Sequence, residues 1–339
     1  LVAAVTQEIL NKNETAAFPI ASEHQLCRRF NVSRVTVRLA LSDLENRGLI
    51  YRKHGKGTFA HGSSTRVHRH LGILMKTSHS IQHRPIVELV QGAQKEMATH
   101  EAGVLLISSS PDQWRPEKAS SLGGVIVIPW GVTPHDLEVL KNRNLPYLIF
   151  AESDLPGPHV HLGQKEAARK MTEELLRQGH RNIALLTGYD ICLDTPKRLG
   201  VHEAFCAAGI DPAKVIEISI DLDESKIYDA ALQVLHMRPR PTAVIAFDYS
   251  MGSMTRFHAM RKENLRVPED LSIVSFHDWP FLSHVEPVMT TVHFDFFKAG
   301  QCAARALSQA ALTGEMPTDI HFEPAYPAGQ TVGPVPAGA

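Results

Sequence analysis

Arg34 and Arg38 stand four residues apart, with Ser33 in front of them and Thr36 between. On a helix that spacing puts both guanidinium groups on one face, where each offers a planar fork to a guanine edge or a phosphate. His54, Gly55 and Lys56 form a compact, basic, glycine-containing turn further on. A second set of polar side chains directly follows apolar runs of strand length. Lys76 and Ser78 come after 71–75, Trp130 after 124–129, Glu152 after 146–150, Asp248 after 243–247, and His277 and Trp279 after 272–276. Lys197 and Arg198 lead into Gly200 at the start of an amphipathic stretch. The carboxyl ends of parallel strands are where loops gather polar groups around a small ligand, and an indole there can either plug the core or stack on that ligand.

Nineteen histidines invite an enzymatic reading. Yet the chain has no His-Glu-x-x-His, no Gly-x-Ser-x-Gly elbow, no Gly-x-x-x-x-Gly-Lys loop and no Gly-x-Gly-x-x-Gly after a strand, so neither an enzyme nor a cofactor is expected. His135, His159, His161 and His180 read as surface or capping groups. His159 and His161 could chelate a metal, but no third ligand lies near them in sequence and no metal site is expected. Cys27, Cys192, Cys206 and Cys302 lack any Cys-x-x-Cys spacing and read as reduced thiols.

The elements that must position these groups divide by charge. Residues 1–70 carry eleven Lys and Arg against five Asp and Glu, a balance of +6, while the remainder of this 339-residue chain balances at −7. A basic block on an acidic body suits a polyanion-binding head on a separate sensor or scaffold. With 43% of residues apolar, the chain can bury two or three cores. No run of eighteen apolar residues occurs and the first residues lack a signal-peptide layout, so a cytoplasmic protein with no membrane partner is expected.

Within residues 1–60 the spacing predicts three helices and a hairpin. The first covers 2–11 on Val2, Val5, Ile9 and Leu10. The second starts at Glu23 behind a Ser22/Gln25 capping box, and the third runs from a Ser33 cap to about 47 with Val37, Leu41 and Leu44 inward. Two strands, 49–54 and 58–60, flank the glycine turn. The run Val32-Ser-Arg-Val-Thr-Val-Arg38, then Ala40-Leu41, Leu44-Glu45, Gly48-Leu-Ile50 and Gly55-Lys-Gly-Thr-Phe59 resembles the winged helix-turn-helix of GntR-family transcription regulators. That resemblance implies DNA contact by Ser33, Arg34, Thr36, Arg38 and the wing-tip His54 and Gly55, with Lys56 beside them on phosphate. One departure is Ala21, where the family usually has proline directly before its Ser-Glu.

Residues 61–70 read as a basic linker. From Leu71 short apolar strands alternate with amphipathic helices, the pattern of doubly wound parallel sheets in an α/β body. Gly179-His-Arg-Asn-Ile-Ala184, Gly200-Val-His-Glu-Ala204, Val267-Pro-Glu-Asp-Leu-Ser-Ile-Val274 and Pro287-Val-Met-Thr-Thr-Val292 resemble the effector domain of lactose/galactose repressors, relatives of type I periplasmic binding proteins. The resemblance covers about 71–326. It implies one lobe from 71–158 and 290–313, a second from 159–289 and 314–326, and an effector in the cleft between them. The stretch 110–122 is short for a crossover helix, and 327–339, rich in Pro, Gly and Ala, reads as a loose tail.

The chain departs from the repressor pattern at three ligand positions: Lys197 for the usual arginine, Asp248-Tyr249 for Asn-Asp, and His277 for the first aspartate of Phe-Asp-Asp. An imidazole donates or accepts where a carboxylate only accepts, so the ligand's hydroxyls are read differently and no particular sugar is implied. Together the two resemblances imply a homodimeric regulator of operator DNA, a repressor released by a small polar, sugar-like effector. Two rival readings are a sensor body that binds a protein partner and an enzyme built on a binding-protein fold.

Overall fold

The computed structural model describes residues 1–12, 17–61, 70–76, 84–188, 191–220, 224–277 and 284–336. Two units emerge: one of Leu1–Ile149, Leu155–Pro158 and Phe296–Asp319, the other of Phe150–Asp154, His159–Asp295 and Ile320–Ala339.

The first unit opens with α1 (Val2–Lys12), β1 (Phe18–Pro19), α2 (Glu23–Phe30), α3 (Arg34–Asn46), β2 (Ile50–Lys53) and β3 (Gly57–Ala60). Both halves of the capping box are made, with the Ser22 side chain accepting from the Gln25 N–H and the Gln25 side chain accepting from the Ser22 N–H. Val37, Leu41 and Leu44 are fully buried with Val5, Ile9, Leu26, Leu49 and Ile50. Each such aliphatic side chain contributes about 1.5–3 kcal/mol, which is what holds so small a head together. The wing is a three-stranded antiparallel sheet in the order β1-β3-β2. Its first strand is an addition to the sequence reading. Pro19 pairs with Phe59 at the sheet's edge, where a missing N–H is tolerated.

The body continues with β4 (His70–Leu74), α4 (Arg84–Ala98), β5 (Val104–Ile107), α5 (Pro116–Ser120), β6 (Leu122–Val127), α6 (Pro134–Asn142) and β7 (Tyr147–Phe150). It then runs through β8 (His159–His161), α7 (Gln164–Arg177), β9 (Ile183–Thr187), α8 (Ile191–Ala207), β10 (Ile216–Ser219), α9 (Glu224–His236) and β11 (Ala243–Ala246). Last come α10 (Tyr249–Arg261), β12 (Ser272–Phe276), β13 (Thr290–Val292), α11 (Phe296–Thr313) and β14 (Ile320–His321). One sheet has the order β14-β8-β7-β6-β4-β5 and the other β10-β9-β11-β12-β13. The ladders of the second sheet, and β4/β5, β4/β6, β6/β7 and β14/β8 of the first, are parallel, and the inner strands β4, β6, β7, β9, β11 and β12 are almost wholly buried, as the short apolar runs required. The crossover between β5 and β6 is indeed curtailed, since α5 has only five residues.

Two expected boundaries are corrected. Residues 290–292, assigned from sequence to the first lobe, form β13 and pair with β12, so the first unit resumes only at Phe296. Residues 314–319, assigned to the second lobe, count with the first unit, and β14 joins β8. An isolated three-residue strand carries no local mark of which sheet will accept it.

The described part of the tail, expected to be loose, is knitted in. Thr331 is fully buried, its hydroxyl donates to the Ile273 carbonyl at 2.6 Å, and its own carbonyl accepts from the Ile273 N–H at 2.7 Å. The Gly333 carbonyl accepts from the buried His180 ring at 3.0 Å, and the Val335 N–H donates to the Gln178 carbonyl. Composition suggested mobility, but backbone hydrogen bonds to strand ends override it. Burial pushes the His180 imidazole below its ordinary 6.5, with the Gly333 hydrogen bond opposing. A histidine whose folded pKa is depressed contributes stability above its unfolded value and loses it as pH falls. Amide exchange at Gln330 and Val335 is therefore expected to accelerate, beyond the intrinsic pH trend, below about pH 6.5. That excess should vanish in His180→Gln, and an equal response in both proteins would sink the assignment.

Among the described residues, no helix is long and apolar enough to cross a membrane. Cys27, Cys206 and Cys302 are free thiols.

Candidate functional site

The head presents one continuous polar and apolar surface on α3. Ser33 caps the helix, accepting from the Thr36 N–H at 3.1 Å, and its hydroxyl lies 2.8 Å from that of Thr36. Both are therefore partly spent on the helix terminus. Arg34 and Arg38 are exposed and lean on one carboxylate, with Nε 4.0 Å and 3.2 Å from Glu23 Oε2. Between them Val35 and Leu39 are each 68% exposed, an uncommon place for large aliphatic side chains. Apolar groups on a helix that enters the major groove contact thymine methyls, so these two join the arginines as candidate base readers. Neither was singled out from sequence, where the signal was an apolar pair at i, i+4 outside the inward series Val37, Leu41 and Leu44. At the wing tip His54, Gly55 and Lys56 are exposed, and Lys56 N–H closes the turn on the Lys53 carbonyl at 2.9 Å. Gly55 and Gly57 adopt φ of +69° and +105°, which demands glycine and leaves the tip bare.

In the second unit, Asp248 and His277 follow the paired strands β11 and β12, and Lys197 reaches the backbone just past the end of β11. Gly200 lets α8 pack hard against α7, since a Cβ there would lie 2.0 Å from the Lys165 carbonyl. That fixes Lys197, which is buried, with Nζ 3.0 Å from the Phe247 carbonyl and 3.4 Å from Asp194 Oδ1. The ammonium also sits 5.5 Å and 5.6 Å from the ring centroids of Phe247 and Phe276, within cation–π range of both. Asp194 itself accepts from the Gly188 N–H at the end of β9. Asp248 caps α10 by accepting from the Ser250 N–H at 2.7 Å, and its carbonyl takes the Ser275 hydroxyl. His277 holds φ of +63°, donates its N–H to Val292, and packs its ring 5.4 Å from that of Phe294. A buried cation, a helix-capping carboxylate and an imidazole are groups that can donate to and accept from a small polyhydroxylated molecule. Asp194, Phe247, Ser275 and Phe276 were not singled out from sequence, although Asp194 lies three residues before Lys197, a helical ion-pair spacing.

Other expected contacts go elsewhere. Arg198 turns to β10 and donates to Glu217 Oε1 at 2.5 Å. Burial raises the Glu217 pKa, but the bonds from Arg198 and Thr187 outweigh it and hold the carboxyl below its ordinary value. Glu152 Oε1 accepts from the N–H groups of Leu162 and Gly163 at the start of α7, while its Oε2 is buried with no protein partner. In the first unit Lys76 donates to Asp136 Oδ2 at 2.7 Å, and Thr133 bonds the same carboxylate. There too burial raises the pKa and the bonds lower it further, leaving Asp136 ionised. Trp130 follows β6 half-buried. Ser78, Trp279 and most of the expected linker lie outside the described residues.

Residues 1–60 match the family model for bacterial regulatory proteins of the gntR family, and residues 172–326 match a periplasmic binding protein-like domain. The chain is 26% identical over 308 residues to the arabinose metabolism transcriptional repressor of Geobacillus stearothermophilus, spanning 86% of this chain and 84% of that one. Its fold is similar to that of a LacI family transcriptional regulator from Enterococcus faecium with bound ribose, at a TM-score of 0.69 and 17% identity over 79% of this chain and 100% of that one. It is also similar to the transcriptional regulator CelR in complex with cellobiose, at a TM-score of 0.65 and 21% identity over 88% and 91%. The chain thus joins a gntR-family head to a periplasmic binding protein-like body in one polypeptide.

Proposed function

We propose that this chain is a transcriptional repressor of the cytoplasm, acting as a homodimer, whose hold on operator DNA is set by a small sugar or sugar derivative bound to its body. It is a regulator and not an enzyme. The observation that carries the reading is the exposed face of α3, where two arginines and two aliphatic side chains stand on a buried winged core. The wing tip, with Lys56, supplies a phosphate contact beside it. In the body, Asp248 and His277 follow adjacent strands and Lys197 reaches the end of one of them, and structures of similar fold have been solved with ribose and with cellobiose. Lys197 has two of its three hydrogens committed to Asp194 and Phe247, which leaves one for a ligand hydroxyl.

The test is a thermal-shift panel of pentoses, hexoses, disaccharides and sugar acids, followed by operator binding with and without the hit. A ligand that binds only the folded chain raises its melting temperature as concentration rises. Asp248→Ala and His277→Ala are expected to weaken that ligand roughly ten- to a hundredfold, or about 1–3 kcal/mol, and to abolish its influence on DNA. Asp248→Ala also removes a helix cap, costing about 1 kcal/mol of stability, whereas ligand-free operator affinity should stay within twofold or so of the parent. Unchanged calorimetric affinity in both variants would move the ligand away from these strand ends.

A further inference from the structure

The winged head and α11 belong to one unit, and they touch at the end of α11. That helix stops at Thr313, and Gly314 follows at φ +76° with its N–H on the Ala310 carbonyl at 2.8 Å. The left-handed stop satisfies one of the last carbonyls, while the rest form the negative pole of the helix and call for outside donors. The Thr313 carbonyl finds one in Arg47, whose Nη1 donates to it at 2.7 Å. Arg47 is the C-cap of α3, and the same guanidinium holds Asp43 one turn back, Nε to Oδ1 at 3.2 Å and Nη2 to Oδ2 at 2.6 Å. One planar fork thus ties the end of the recognition helix to the end of α11. Around it, Leu312 packs against the apolar core of the head. Gly314 is bare for two reasons, its positive φ and the guanidinium itself, since a Cβ there would lie 2.0 Å from Arg47 Nη1. α11 is in turn held hard against the body. A Cβ on Gly92 of α4 would lie 1.9 Å from the Phe297 carbonyl, and one on Gly124 of β6 would lie 2.9 Å from Leu307 Cβ.

We infer that Arg47 is a positioning residue for operator recognition, which seats the head on the end of α11 and so fixes the direction of α3 against the first sheet of the body. The seat leaves the reading face open, because Arg34, Val35, Arg38 and Leu39 stay exposed while Arg47 is engaged. It therefore aims the helix without covering it. Two recognition helices that read half-sites one turn apart must stand about 34–36 Å from each other. A head that turns freely accepts many spacings, whereas one held on a rigid seat is preorganised for few. The seat thereby turns the geometry of the body into a choice of half-site spacing, an inference that rests on the homodimeric reading above. Arginine is the residue this needs, since lysine has no second arm to keep Asp43 while reaching Thr313. Its partner lies 266 residues further along the chain, where no local pattern announces it.

The test uses the full chain with Arg47→Ala, and with Gly314→Ala, which crowds the guanidinium from the body side and leaves the head's own sequence intact should Arg47→Ala fold poorly. Nitroxides on unnatural residues at the exposed positions of Lys53 in the wing and Lys141 in α6 report the distance between head and body by double electron–electron resonance. A single narrow distribution is expected in the parent and a broad one in both variants. Equal widths overturn the seat, whatever the oligomeric state. On DNA, affinity for a duplex with one half-site should stay within about twofold of the parent, since the reading face is untouched. The parent should prefer one half-site spacing by roughly tenfold or more over spacings altered by two base pairs, and both variants should lose most of that preference. A parallel fall on single and paired half-sites, with spacing preference retained, also overturns the inference and makes Arg47 a support of the head's fold alone. Should sedimentation find a monomer, the homodimeric reading fails separately, and the distance distributions still decide the seat.

Discussion

Lys197→Met is expected to cost the second unit roughly 3–5 kcal/mol, because the substitution leaves the Asp194 carboxylate buried without its cation. The methionine fills the space between the Phe247 and Phe276 rings, so lost volume is a minor part of the effect. Charge is the larger part, which the double variant Asp194→Asn/Lys197→Met isolates. Removing both charges from a buried pair is far less costly than removing one, and most of the lost stability should return. Urea unfolding followed by circular dichroism, with exchange of β9 and β11 amides as a local probe, separates this unit from the rest. A single-variant loss under about 1 kcal/mol would mean that Asp194 finds water or another donor. Loss of effector response in the double variant, with stability recovered, would assign the ammonium to ligand binding as well as to the fold.

The same residue marks the limit of what the sequence made legible. Apolar runs and helical spacing were enough to locate the parallel strands, the capping box at Ser22 and the inward series of α3, since each depends on neighbours within a few residues. Asp248 and His277 were reached through strand ends and Lys197 through its place ahead of Gly200, all local cues, and Lys197 lies 3.0 Å from the Phe247 carbonyl just past β11. Arg198 was grouped with them by adjacency, but consecutive helical residues point about 100° apart, and Glu217 on β10 takes it. β13 and the packed tail escaped for one shared reason. Each is decided by a partner distant in sequence: β12 for Thr290–Val292 and the Ile273 backbone for Thr331. A composition rich in Pro, Gly and Ala described the tail's lack of helix or strand and said nothing of its backbone partners. Glu23 was similarly read only as the first residue of α2, whereas its carboxylate faces both arginines of α3.

That carboxylate shapes the expected behaviour of the head. Arg38→Ala should lower operator affinity by about 1–3 kcal/mol, ten- to a hundredfold, if the guanidinium reads a guanine edge, and should relax specificity at one base pair. In the free head the same group pairs with Glu23 while remaining largely exposed, and an exposed pair of this kind is worth under about 1 kcal/mol, so DNA displaces it readily. Glu23→Gln therefore works in the opposite direction. It removes a negative charge beside the phosphates and frees both arginines, so affinity for operator and for random DNA should rise together, most at low salt. Lys56→Ala differs from both, lowering the two affinities in parallel and reducing the salt slope by about one. Fluorescence anisotropy on operator and scrambled duplexes across a potassium chloride series resolves the three patterns. Equal operator affinity for Arg38→Ala and the parent would remove this arginine from base recognition. A fall in random-DNA affinity for Glu23→Gln would mean that the carboxylate organises the arginines for binding, instead of competing with DNA for them.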